Sequence, residues 1–249
     1  MDDVGHWFRN LPTMTRVWFG STVGLSLISW LGLISPYSLA LHHEPLFRSF
    51  QLWRPVTSLF CYPINPSTGF HFLILLYFLY SYSLRLETGF FVQRPADYLF
   101  MLLFCWVNCV IASLLGGIMF LMDSMVAVVL YVWCQLNKDL IVTFWFGTTF
   151  KAMYLPWVFL GFTMITSGRG MLVFIGILVG HLYFFLMFKY PQDFGGATLL
   201  RTPQILYDYF PNYRENVYGF GQAPTARRSN DDGGTGGRGI FRGQGHTLG

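Results

Sequence analysis

Polar and ionisable side chains set inside long apolar runs are the residues of this sequence that could do chemistry, and they are few. Ser124 follows Asp123 at the head of one run, His181 follows Gly176-Ile177-Leu178-Val179-Gly180 in another, and Ser81, Ser83, Asn108, Gln135 and Asn137 lie within or at the ends of others. A serine hydroxyl is a weak nucleophile until a base within hydrogen-bond reach takes its proton, so Ser124 and His181 could act only as a pair. Each also has a plainer reading, Ser124 as a helix cap and His181 as an interhelical hydrogen bond, although an ionisable group in a span is costly enough to be a functional candidate. The other five either glue a bundle, at about 0.6 to 2 kcal/mol per contact, or line a wetted groove that passes an unfolded chain. Cys61, Cys105, Cys109 and Cys134 have no CxxC spacing and three sit in apolar runs, so no disulfide framework, zinc site or cofactor is expected.

The elements that position these residues follow from composition. Of 249 residues 53% are hydrophobic and 11% charged, against roughly 25% charged in an ordinary soluble domain. With 26 Phe, 14 Tyr and 8 Trp and a mean hydropathy of +0.45, a water-soluble fold would need more interior than this chain can enclose. Lipid is therefore part of its solvent, and nucleic acid is not an expected partner. Six spans are expected, at about 17–34, 70–84, 98–115, 124–136, 153–166 and 171–188, because each needs about 20 mostly apolar residues. From Tyr98 to Asn137 the only charge is Asp123, and that length as one helix would cover about 60 Å, so it must fold back at Gly116-Gly117 with Asp123 and Ser124 capping a new helix. Pro156 interrupts the fifth span near its start, and the second, fourth and fifth spans are short.

Cytoplasmic segments carry an excess of Lys and Arg. An inside N-terminus places Arg9, Arg16, Arg85, Arg94, Lys138, Lys151 and the tail cations on one side and only Arg48, Arg54 and Arg169 on the other, so both termini are expected in the cytosol. A cleaved signal peptide is disfavoured, since Asp2 and Asp3 do not make a basic leader and the apolar core is too long. Between the first two spans, Leu46, Phe47, Phe50, Trp53, Val56, Leu59 and Phe60 recur at helical spacing around Arg48, Gln51 and Arg54. That face suits a helical hairpin in the membrane interface with Trp53 at headgroup level, or a cap packed on the bundle.

Six spans, Trp53-Arg54 in a long interfacial loop and a Gly176-x-x-x-Gly180 seam beside His181 together resemble the rhomboid superfamily. The resemblance is closer to the Derlins, carried by Trp53-Arg54-Pro55-Val56-Thr57, Leu86-Glu87-Thr88-Gly89, Arg94-Pro95-Ala96-Asp97-Tyr98, Gln135-Leu136-Asn137-Lys138-Asp139, Phe144-Trp145-Phe146-Gly147 and Gly180-His181-Leu182-Tyr183-Phe184, over about residues 5 to 205. The resemblance implies an all-α, rhomboid-like bundle in the endoplasmic reticulum membrane that helps move misfolded proteins to the cytosol for proteasomal degradation. It also implies a ubiquitin ligase complex and misfolded clients as partners, and homo- or hetero-oligomers. Rhomboid proteases set their serine in a Gly-x-Ser-Gly turn at the start of the fourth span; here Asp123-Ser124-Met125-Val126 has no such glycines, so no catalytic residue is expected.

From Pro191 onward the composition shifts, and ten of residues 219–249 are glycine, so residues 191–249 are expected to form a flexible arm. Phe241-x-Gly243-x-Gly245-x-x-Leu248-Gly249 resembles the SHP box, the segment that docks on the valosin-containing AAA ATPase in Derlins and other cofactors. Phe241 and Leu248 would be its apolar anchors, and Gly243 and Gly245 would let the backbone lie close to the partner. Three other classes stay open: an active intramembrane serine protease, a passive membrane adaptor, and a small-solute channel or transporter, the last without an inverted repeat or an intramembrane acid chain to support it.

Overall fold

In lipid every backbone polar group must be satisfied within the protein, and a helix does so within one segment. The computed structural model describes residues 2–144, 147–193 and 199–211, and these are helical throughout except for loops and one short two-stranded ribbon. After α1 (Asp2–Arg9), α2 (Thr13–Trp30) starts four residues ahead of the apolar run and stops before Gly32, which turns the chain at φ +76°. The interfacial segment is three short helices rather than one hairpin: α3 (Pro36–Leu39), α4 (His43–Arg48) and α5 (Arg54–Phe60).

The second span is not short. α6 (Gly69–Arg85) continues through a π turn at Leu86–Phe90, making 22 residues in all. Charge does not stop it, because the Arg85 guanidinium lies over the rings of Tyr82 and Trp133 and Glu87 is bonded to another helix. α7 (Pro95–Gly116) ends where Gly117 takes φ +65°, a left-handed conformation that closes a helix without strain only at glycine. α8 (Met122–Leu136) follows, then an antiparallel ribbon of β1 (Ile141–Thr143) and β2 (Thr149–Lys151), with Val142 opposite Phe150. α9 (Leu155–Ser167) begins with Pro156 in its first turn, where the missing N–H costs nothing, so the proline starts the helix rather than interrupting it. α10 (Gly170–Phe184) runs through a second π turn into α11 (Tyr190–Asp193), 24 residues without a break.

α8 is the axis of the fold. Every residue from Met122 to Cys134 is buried, and α6, α9 and α10 pack around it. A helix buried on all sides needs apolar residues all round, which explains its run of Val, Met, Leu and Trp. Gly69–Phe90, Pro95–Gly116 and Gly170–Asp193 are long and apolar enough to cross a membrane; Met122–Leu136 with 15 residues and Ala152–Ser167, which adds a tight turn to the start of α9, with 16 reach only about 22 and 24 Å, against a hydrocarbon core of about 30 Å. Outward-facing Leu115 and Ile165, 86% and 88% exposed, belong to surfaces that lipid covers.

The segment expected to be a free arm is ordered at its base. α12 (Gln204–Tyr209) packs on α7. Trp145, Phe146 and the motif from Phe241 to Gly249 lie outside the described residues.

Candidate functional site

The Ser124 and His181 pair falls on the seam between α8 and α10, which run in the same direction. At its head the fully buried Ser124 Oγ donates to the Leu172 carbonyl at 2.8 Å. Further along, Tyr131 Oη and His181 Nδ1 are 2.6 Å apart. Tyr131 comes seven residues after Ser124, so these two contacts lie about 10 Å apart along the helix axis. The hydroxyl is thus partnered two turns from the imidazole, and the two do not form a nucleophile–base pair. Ser124 is not a cap either, since Leu121 holds the cap position and Ser124 sits in the first turn.

The glycines of the last span make the seam. A Cβ on Gly176 would overlap the Ser124 carbonyl oxygen and lie 2.7 Å from the Ala127 Cβ, and one on Gly180 would lie 3.1 Å from the Tyr131 ring. Removing both side chains brings the helices together with good van der Waals contact, the chief attraction between helices in lipid.

Asp123 is the hub of a buried polar cluster that capping logic missed. Its Oδ1 is 2.9 Å from His71 Nε2 in α6, and its Oδ2 is 3.8 Å from Arg169 Nη1 in the turn before α10. The Arg169 guanidinium lies over the ring of Tyr62 at 5.1 Å, and Tyr62, His71 and Asp123 are almost fully buried. A carboxylate withdrawn from water needs such cations and donors, so this cluster ties together three ends of the bundle. The signal was in the sequence: one acid in an apolar stretch, and one histidine a turn into another.

At the N-terminal side, Glu87 accepts from the Met14 and Thr15 amides at 2.9 and 2.8 Å and from the Thr15 hydroxyl at 2.7 Å. Thr15 Oγ1 and Tyr98 Oη each lie 2.7 Å from the buried Ser83 Oγ. Of the candidate groove residues, Ser83 is thus sealed in this network. Asn108 and Asn137 return their amides to carbonyls four residues earlier, Gln135 neighbours Tyr131, and Ser81 is half-buried on α6.

Trp53 and Arg54 separate. Arg54 is buried and donates to the carbonyls of Tyr37 and Ala40 at 2.9 and 2.8 Å, while Thr57 donates to Leu39 at 3.0 Å, so α5 is stitched to α3. The Trp53 side chain faces outward, 55% exposed.

Asp97, in the first turn of α7, holds the base of the arm. Its Oδ1 accepts from Thr202 Oγ1 and Tyr207 Oη, both at 2.7 Å. Burial, together with the bond to the Asp97 carboxylate and its charge, raises the Tyr207 phenol above its ordinary value, so it stays a neutral donor.

These features define a polytopic helical membrane protein with a serine and a histidine at a glycine seam. The Der1-like family model matches residues 11–204, and the chain belongs to that family. It is 55% identical to Derlin-1 of Homo sapiens and to Derlin-1 of Bos taurus over 250 aligned residues, covering all of this chain and 99% of each relative. Derlin-1 of Drosophila melanogaster is 45% identical over 225 residues, 90% of this chain and 91% of the relative.

Proposed function

We propose that the chain is a rhomboid-like pseudoprotease of the endoplasmic reticulum membrane, with both termini cytosolic, that helps move misfolded lumenal and membrane proteins to the cytosol for proteasomal degradation. The observation that carries this reading is the seam: Ser124 is bonded to Leu172, and His181 to Tyr131 about two turns away, so the polar residues of the seam are spent on packing. The short fifth span supports a mechanical role, because Ala152–Ser167, about 6 Å shorter than the hydrocarbon core, thins the bilayer where it faces lipid and lowers the barrier to moving polar backbone across it. The segment from Phe241 to Gly249 would recruit the valosin-containing AAA ATPase, which supplies the pull. A ubiquitin ligase complex would modify the emerging client, in assemblies with further copies or related subunits.

Two measurements test the reading. A photo-crosslinker placed along α6 and α9 should capture a translocating client in reconstituted vesicles; a client that crosses without touching either helix excludes this route. Changing Phe241 and Leu248 to Ala should abolish ATPase co-purification with the membrane domain intact, and unchanged recruitment by purified components would remove the ATPase from the proposal.

A further inference from the structure

On the N-terminal side of the bundle an apolar groove of about 370 Å³ lies between α2, α5 and α7. Val17 and Trp18 form one wall, Leu102 and Trp106 the other, and Met125 of α8 the floor. α5 is its roof, held against α7 by the Trp106 indole N–H donating to the Pro55 carbonyl at 3.0 Å. Val17 and Leu103, 56% and 41% exposed, carry the lining out onto the membrane-facing surface. A second, more polar cavity of about 420 Å³, bordered by Glu87 and Gln93, meets the groove at Thr13, Met14 and Phe210.

We propose that this groove binds one acyl chain of a membrane phospholipid from the leaflet on the side of the chain's N-terminus, with the headgroup at the polar cavity beyond Phe210. The chemistry of the walls selects that occupant. Water needs two to four polar partners in a cavity, and these walls are almost entirely hydrocarbon. A vacant groove forfeits the dispersion contacts of its lining, and the groove is continuous with a surface that lipid already covers, so acyl chains are the molecules at hand to restore them. Trp18 in the wall, 5% exposed, has an indole N–H without an acceptor among the described residues, and a glycerol ester oxygen would supply one.

Met125 makes the proposal testable, because it is 1% exposed and out of reach of lipid that only surrounds the protein. The full chain is reconstituted in phosphatidylcholine vesicles containing a phosphatidylcholine with a diazirine near the end of one acyl chain, irradiated, and mapped by mass spectrometry. Detectable labelling of Met125, weaker than that of the 88% exposed, lipid-facing Ile165, is expected, because the groove is the route by which an acyl chain reaches it. Leu102→Trp, which fills the groove from its wall, should lower Met125 labelling about tenfold and leave Ile165 unchanged. Strong Ile165 labelling with none at Met125 in the wild-type chain overturns the proposal, whatever the variant does. Labelling of Met125 by a photo-reactive leucine in a client's apolar segment, but not by lipid, also overturns it and assigns the groove to clients.

Discussion

Glu87 and Thr15, 72 residues apart in sequence, meet so that one carboxylate oxygen accepts both the amide and the hydroxyl of the threonine, while the other oxygen takes the Met14 amide. The N-terminal amides of α2 are therefore capped by a side chain from the end of α6, and no residue of α2's own approach does the work: Pro12 holds the cap position without a side-chain bond. An anion at a helix N-terminus also meets the favourable end of the helix dipole.

Glu87→Ala should destabilise the protein by about 2 kcal/mol, the combined scale of a lost cap and of charged hydrogen bonds. Glu87→Gln, which keeps one acceptor oxygen, should cost about half as much. Thermal unfolding in a fixed detergent reads both, and equal effects would mean that charge, not acceptor number, sets the contribution.

Close approach at the α8–α10 seam is decided by two glycines of unequal demand. Gly176→Ala should cost about 1 to 3 kcal/mol by overpacking, because the atoms in its way are the Ser124 backbone and the Ala127 Cβ. Gly180→Ala should cost less, since the Tyr131 ring can shift by a few tenths of an ångström. Ser124→Ala and His181→Ala should leave every client fragment pattern as it is in the wild type; a membrane substrate cut by the wild type and spared by either variant would restore a protease.

Asp123→Ala should be the most damaging single change in the bundle, about 3 to 5 kcal/mol, because it strands His71 and Arg169 beside a buried void. Replacing His71, Asp123 and Arg169 together by Leu should recover most of that loss, since well-packed apolar residues avoid the desolvation cost and leave no cation unpaired. Unfolding of Asp123→Leu, of His71→Leu with Arg169→Leu, and of the triple variant, compared as a cycle, separates pairing from packing.

The expected span limits erred where a helix is finished by a residue from elsewhere. α2 begins four residues before its apolar run because Glu87 caps it from α6, and α6 outruns its run because Arg85 finds the rings of Tyr82 and Trp133. Asp123 and Ser124 look like local caps because local rules see only neighbours in sequence; their partners, His71 and Leu172, lie 52 and 48 residues away. By contrast Gly117 was legible as the end of α7, because its role is a backbone conformation that needs no partner.

Arg54 and Trp53 stand side by side in sequence and should behave differently. Arg54→Ala leaves the Tyr37 and Ala40 carbonyls without their donor and should lower stability by about 1.5 to 3 kcal/mol. Trp53→Ala removes an outward-facing ring and should change stability by less than about 1 kcal/mol, while weakening the hold of the loop on the membrane interface. Detergent unfolding reads the first effect, and quenching of loop fluorescence by interfacial lipid probes reads the second.

The Asp97 clasp sets where the arm leaves the bundle, because Thr202 and Tyr207 bond the same carboxylate oxygen. Hydrogen bonds to a charged acceptor contribute about 1.5 to 3 kcal/mol each, so Thr202→Val with Tyr207→Phe should raise amide exchange of α12 by roughly two orders of magnitude or more, and Asp97→Asn, which keeps a neutral acceptor, by about one. Exchange of α8 should stay unchanged, since α8 does not touch the clasp. The phenol has a direction with pH as well. Its value is raised in the folded protein, so the stabilisation is complete below the ordinary phenol value of about 10 and is lost as pH rises through the higher folded value. Protection of α12 should therefore fall at strongly alkaline pH in the wild-type chain and show no such step in Tyr207→Phe. An α12 that keeps its protection in the double variant would be held by its apolar packing on α7 and not by Asp97.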